Sequence, residues 1–154
     1  VDVSAWTIGV DPGLTGAVAI LDQDEMIEAL IDMPNAGGHV MAADLAKWVR
    51  AHSYVHMVAW IEDVHAMPGQ GVSSTFKFGR SVGVVAGVLG ALDIPIRWVS
   101  PAKWKGAMGL SKDKGASRRR AQELWPTHAA TFSRVRDDGR AEAALIAAYG
   151  RRQA

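Results

Sequence analysis

The chemistry of this chain is most visible in its carboxylates. Asp11 closes the apolar run Trp6 to Val10 and stands directly before Pro12-Gly13, where a glycine turn lets a ligand come close to the backbone. Glu62 lies inside Trp60-Ile61-Glu62-Asp63-Val64. An acid among apolar strand residues is unfavourable to bury unless something neutralises it. Asp138 and Glu142 are spaced i and i+4, so on a helix both point the same way and their like charges repel. A bound cation turns that repulsion into attraction. Carboxylate oxygens suit hard cations, so the acids point to Mg²⁺ or Mn²⁺. Two such ions, about 3.5–4 Å apart, can clamp the attacking and leaving oxygens of an in-line phosphoryl displacement. Zinc is disfavoured, because His39, His52, His56, His65 and His128 are scattered. Of these, only His52 and His56 share an i,i+4 spacing, and they straddle a predicted helix end.

Each acid also has an ordinary structural role open to it. Asp-Pro-Gly is a common turn. Asp138, or equally Asp137, could cap a helix N-terminus. Glu142 could pair with Arg140 or Arg134. The case for a site is a joint one: three separate elements each present an acid at a strand or helix end.

Those elements follow from the hydropathy pattern. Trp6 to Val10, Gly16 to Leu21 and Met26 to Met33 are short apolar runs. The turns between them, Asp11 to Thr15 and Asp22-Gln23-Asp24, are tight, which predicts an antiparallel meander. Val40 to Ala51 has helical spacing, with Leu45, Trp48 and Val49 on one side. Tyr54 to Val64 reads as a mostly buried strand, Met67 to Ser74 as a Gly/Ser loop and Thr75 to Leu92 as a long helix. Ile94 to Val99 is a short strand closed by Ser100-Pro101. Lys112 to Trp125 is a basic amphipathic helix stopped by Pro126. Asp138 to Arg151 is the last helix, with Ala141, Ala144, Leu145 and Ala148 inward. The order β-β-β-α-β-α-β-α-α predicts an α/β fold. It has a mixed five-stranded sheet, a three-stranded antiparallel meander plus two parallel strands, flanked by helices.

Length and composition set the frame. The 154 residues suit a single domain, 1–154, with a core that needs no staples. Absence of cysteine excludes disulfides, a thiolate nucleophile and a cysteine-based zinc site, and suits a reducing intracellular compartment. No apolar run is long enough for a membrane span, and no secretory signal pattern is visible. A net charge of +1 hides a strong asymmetry. Residues 1–96 carry 4 Lys/Arg against 11 Asp/Glu, and residues 97–154 carry 13 against 5. A polyanion-binding face in the second half is the expectation.

Four segments in order carry a family resemblance. The first is Ile8-Gly9-Val10-Asp11-Pro12-Gly13-Leu14-Thr15-Gly16. Ile61-Glu62 then leads to Met67-Pro68-Gly69-Gln70-Gly71-Val72-Ser73-Ser74 and Phe76-Lys77-Phe78-Gly79-Arg80. Val99-Ser100-Pro101-Ala102-Lys103-Trp104-Lys105 follows, and Asp138 to Ala147 closes the set. Together they resemble the RuvC-like Holliday junction resolvases, most closely the branch that includes phage-type and plant chloroplast resolvases. The resemblance implies a ribonuclease H-like fold, a homodimer and two Mg²⁺ or Mn²⁺ ions. It also implies symmetric paired nicks across a four-way DNA junction. Asp11, Glu62, Asp138 and Glu142 take the place of the family's catalytic acids. Bacterial RuvC usually has two late Asp residues spaced by three. The spacing of four seen here is that of the chloroplast-like branch. The expected compartment is intracellular and reducing, a bacterial or phage-infected cytoplasm or an organelle such as a plastid.

For a junction partner, Lys103, Lys105, Lys112, Lys114, Arg118, Arg119 and Arg120 are the expected phosphate contacts, joined by Lys77 and Arg80. Gln70 could read a base edge, and His65 or Phe76 could stack in an opened junction. Gly79, Gly83 and Gly87 recur every four residues and allow close helix packing, against a second copy or against the protein's own sheet. Two other functions share these residues. One is a non-catalytic module that binds branched DNA. The other is an actin-like nucleotide phosphatase, whose phosphate-binding turn resembles Asp11 to Gly16, although a chain of this length holds only one copy of the fold.

Overall fold

The computed structural model describes residues 5–52 and 56–154. Strands β1 (Trp6–Asp11), β2 (Ala17–Leu21) and β3 (Ile27–Asp32) form the expected meander. A short hairpin follows, β4 (Asn35–Ala36) and β5 (His39–Val40), then helix α1 (Ala42–Ala51). Strand β6 (Met57–Glu62), helix α2 (Val72–Ala91) and strand β7 (Ile96–Val99) complete the main sheet. Helices α3 (Pro101–Ala107), α4 (Ala116–Leu124) and α5 (Asp138–Arg151) end the chain, with two 3-10 turns between α4 and α5. The sheet order is β3-β2-β1-β6-β7, with β1, β6 and β7 mutually parallel. The predicted mixed sheet is therefore the observed one.

Several local readings change. The loop expected over Met67 to Ser74 gives way to α2 already at Val72, and Val40, expected to open a helix, belongs to β5. Tyr54, where a strand was expected to begin, lies outside the described residues, and the described strand begins at Met57. The basic helix starts only at Ala116, because Gly115 sits at φ 78°, a left-handed conformation that interrupts a helix. Lys112 and Lys114 therefore belong to the preceding loop, not to the helix. The short helix α3, which the periodicity did not announce, begins with Pro101 at its first position, where a missing N–H does no harm.

Alternation along the strands divides the core in two. Ile8, Val10, Val18, Ile20, Ala59 and Ile61 face α1 and α2, meeting Leu45, Val49, Val85 and Leu89. Ala17, Ala19, Leu21 and Val99 face the other way, toward α5, Trp104 and Ala121. The second face carries the chemistry, because Asp11 and Glu62 alternate out of phase with Val10 and Ile61. Helix α5 is rich in alanine, a strong helix former, and is buried along most of its length. It can lie so close to the sheet because Gly9 has no side chain. A Cβ at Gly9 would run into the backbone of Ala143 and Ala147. Gly139 plays the same part at the helix start, where a Cβ would strike the Thr15 carbonyl. No helix among the described residues is long and apolar enough to cross a membrane.

Candidate active site

Asp11 and Glu62 sit at the carboxyl ends of adjacent parallel strands. The register sets Val10 beside Ile61, so the two acids follow one residue further on and project to the same face. Close packing of α5 over Gly9 then brings Glu142 above them. The outcome is a group of three: Asp11, Glu62 and Glu142 offer ligand atoms that all lie within 4.8 Å of one another.

The electrostatics of this group are those of anions brought together before their counter-charge arrives. Burial pushes the Asp11 carboxyl up to about 7, and the charges of Glu142 and Glu62 push the same way. A backbone hydrogen bond from Gly13 and the Lys105 ammonium oppose the shift without cancelling it. Glu62 is buried and also raised, first by desolvation. The indole Nε1–H of Trp104 donates to Glu62 Oε1 at 2.9 Å and favours the charged form. Glu142 has its own partners, Lys105 Nζ at 3.3 Å and the Ser117 hydroxyl, which donates to Oε1 at 3.3 Å. Its alternative partners from the sequence, Arg140 and Arg134, are engaged elsewhere. Three converging hard oxygen donors, two of them held away from their charged form by burial, fit a divalent cation such as Mg²⁺ or Mn²⁺.

Asp138 does not join the group. Its carboxylate accepts from Arg118 Nε at 2.7 Å, one turn of α5 before Glu142. Asp137 is a separate matter. It is 1% exposed and accepts from the Arg134 backbone N–H at 2.8 Å and from that guanidinium. These bonds, the side-chain one first, hold its carboxyl below its ordinary value. Arg140 approaches Asp137 at 3.6 Å and forks onto Asp32 at 2.7 and 2.8 Å. That network fastens the start of α5 to the end of β3, so Asp137 is an anchor.

The expected phosphate contacts divide between elements that pack on the two faces of the sheet. Lys105, Lys112, Asp138, Glu142 and Ser117 line one cleft of about 620 Å³, together with Lys114. Lys103 and Arg119 are exposed on α3 and α4, with Arg119 donating to the Lys114 carbonyl at 3.2 Å. On the other side, Gln70 occupies an exposed loop and accepts from the Met67 N–H at 3.2 Å. Lys77 is exposed on α2, and Arg80 donates to the Gly38 carbonyl at 3.2 Å. Phe76 is 68% and Val72 87% exposed, and His65 is exposed as well, so none of these is a core residue. Positions Gly79, Gly83 and Gly87 face open space. A smaller cavity, about 110 Å³, lies beneath Trp60 and Gly150 and is lined by no acid.

Sequence reasoning missed Trp104, Ser117, Gly9 and Gly139. Trp104 had a signal: a large apolar ring between Lys103 and Lys105 must turn inward. Ser117 had none.

The strand order and the two helical layers are those of a ribonuclease H-like fold, the fold of solved RuvC structures. A Thermus thermophilus RuvC in complex with Holliday junction substrate matches with a TM-score of 0.60 at 12% identity, over 97% of this chain and 96% of that one. A second Thermus thermophilus RuvC structure gives 0.55 at 14%, over 96% of each chain. The yeast mitochondrial Holliday junction resolvase Ydc2 gives 0.60 at 17%, over 97% of this chain and 78% of that one. Identities this low establish likeness of fold. The sequence itself matches no protein-family model and no curated protein.

Proposed function

We propose that this chain is a crossover junction endodeoxyribonuclease, cutting four-way DNA junctions by metal-dependent phosphodiester hydrolysis. The observation that carries the reading is the convergence of Asp11, Glu62 and Glu142 at the strand ends, in a fold shared with Holliday junction resolvases. Two divalent ions held there would polarise the scissile phosphate and supply a nucleophilic water at neutral pH. Asp11 and Glu62 form the rigid floor of the site. Trp104 fixes the orientation of Glu62, and Glu142 closes the group from α5. Asp138 is the fourth acid of this reading. Lys103, Lys105, Lys112, Lys114, Arg118 and Arg119 hold backbone phosphates on the cleft side, and Lys77 and Arg80 hold them across the loop. Gln70 meets the bases at the junction centre.

Paired, symmetric nicks require two copies. The apolar outer face of α2, with Val72, Phe76 and the open positions at Gly79, Gly83 and Gly87, supports a homodimer through that helix. The i,i+4 spacing of the late acids supports the phage-type and chloroplast branch. The test is nicking of a synthetic four-way junction in Mg²⁺ or Mn²⁺ against a linear duplex of the same sequence. Selective junction cutting, lost in Asp11→Asn while binding persists, is the expected result. Binding without any nicking would replace the enzyme by a branched-DNA-binding module.

A further inference from the structure

Asp138 is out of place. It shares one face of α5 and one cleft with Glu142, yet it takes no part in the three-acid group. Its partner instead is Arg118. The guanidinium donates from Nε to Asp138 Oδ1 at 2.7 Å, and its NH1 reaches the Ser133 carbonyl at 3.4 Å. It lies over Gly115, where a Cβ would come within 2.8 Å of the Arg118 NH2 group. The same glycine that breaks the helix thus makes room for the arginine.

We propose that Arg118 is a phosphate-sensing positioning residue: it holds Asp138 off the Asp11–Glu62–Glu142 group until a phosphodiester takes its guanidinium, and Asp138 then completes the cation site. This rests on the metal-dependent reading above.

Three observations support the exchange. The pair is open to competition from the carboxylate side, since the Asp138 side chain is 51% exposed against 20% for Arg118, and ion pairs that reach solvent are weakened by it. A phosphate is the natural competitor, because the guanidinium fork matches its oxygens, and Lys105, Lys112 and Lys114 line the cleft of Asp138 together with Gly115, the residue the guanidinium lies against. Finally, a released Asp138 sits at i,i+4 from Glu142, where two bare carboxylates repel and a shared cation relieves them. Phosphate and cation therefore favour each other, and by linkage the coupling is equal in both directions. The consequence is a site that assembles fully only on DNA.

The experiment is Mn²⁺ titration of the full chain by calorimetry, without DNA. Arg118→Ala frees Asp138 and tightens Mn²⁺ binding by about fivefold, the equivalent of one exposed ion pair. In an Asp138→Asn background the same substitution has no effect. Arg136→Ala removes a positive charge two residues from Asp138 and leaves Mn²⁺ affinity within about twofold. A second measurement needs no arginine variant. Sulfate, a tetrahedral dianion, tightens Mn²⁺ binding to the wild type relative to chloride at matched ionic strength, and does not do so in Asp138→Asn. The proposal is overturned if Arg118→Ala binds Mn²⁺ like the wild type, or if its gain survives in Asp138→Asn. It is overturned equally if sulfate acts alike with and without Asp138. Asp11→Asn separates this from the underlying reading. If that variant binds Mn²⁺ as well as the wild type, the metal site itself is wrong. If it loses Mn²⁺ while Arg118→Ala is neutral, only the switch fails.

Discussion

Two pairs of acids meet at one end of this sheet, and they are built on opposite terms. Asp11 and Glu62 stand on strands, held in enclosed positions whose burial disfavours their charge. Asp138 and Glu142 stand on a helix, and each is matched by a cation, Arg118 in one case and Lys105 in the other. The strand pair is rigid and short of positive charge. The helix pair is already compensated. The cations that compensate it come from α3 and α4, the part of the chain with the basic surplus. One half of the site thus lacks a counter-charge that a metal ion would supply, while the other half is tied to groups that a phosphate would also engage.

Substitution of the strand acids should therefore do the most damage. Asp11→Asn removes a ligand from the floor of the site, and cleavage of a four-way junction falls by about a thousandfold or more. Asp138→Asn falls by less, because its carboxylate joins last. Single-turnover nicking of both variants measures the difference. Equal losses would mean that the two pairs act as one preformed unit.

The next contrast is in pH. Asp11 is raised from an ordinary value of 3.8 to about 7 in the folded chain. Between those values the folded state binds a proton that the unfolded state has lost. The stability this confers is fully present below the unfolded value and disappears as pH rises through the folded one. The loss without metal is on the order of 4 kcal/mol, and Glu62 adds to it in the same direction. Asp137 and Asp32 behave in the opposite sense. Their carboxyls are lowered, each first by an arginine hydrogen bond, and they withdraw stability only as pH falls below the ordinary carboxylate range. Thermal melts should show Mn²⁺ raising Tm more at about pH 8 than at about pH 5. An equal gain at both would mean that Asp11 is not a raised carboxyl.

Trp104→Phe tests what holds the strand pair in place. The ring is fully buried and its indole N–H satisfies Glu62. Its loss costs about 2 kcal/mol of stability, from a cavity and an unmet acceptor. It also removes a group that keeps Glu62 charged, so the acid limb of the pH–cleavage profile moves upward. A change in stability with an unmoved profile would assign Trp104 to packing alone.

The parts of this design that were legible in sequence are those written by periodicity. Three apolar runs with polar turns gave the meander, and inward alanines placed α5. Asp11 and Glu62 were legible for the same reason, since strand ends fix where a side chain points. The helix side was harder. Residues four apart share a face, but only the partners decide which acid turns toward the strands. Arg118 lies twenty residues from Asp138, and no spacing rule links them. Lys112 and Lys114 looked helical because a basic run keeps its amphipathic pattern whether or not a left-handed glycine breaks it. Gly9 read as one more residue of an apolar run. Its role, letting α5 reach the strand, exists only once the helix is docked.

The smallest expected effect is the most discriminating for the helix pair. Ser117 donates to Glu142 at 3.3 Å, a long bond, while Lys105 approaches the same oxygen at 3.3 Å. If the helix acids are adjustable, the ammonium and the incoming cation set the final position of Glu142, and the hydroxyl merely shares it beforehand. Ser117→Ala should then lose about 0.5 kcal/mol of transition-state stabilisation, or roughly twofold in cleavage rate. Mn²⁺ affinity should be unchanged. A loss beyond about tenfold would say something different. Glu142 would then need its hydroxyl as Glu62 needs its indole, and both pairs of acids would be equally preorganised. The division between a fixed floor and a movable wall would no longer describe the site.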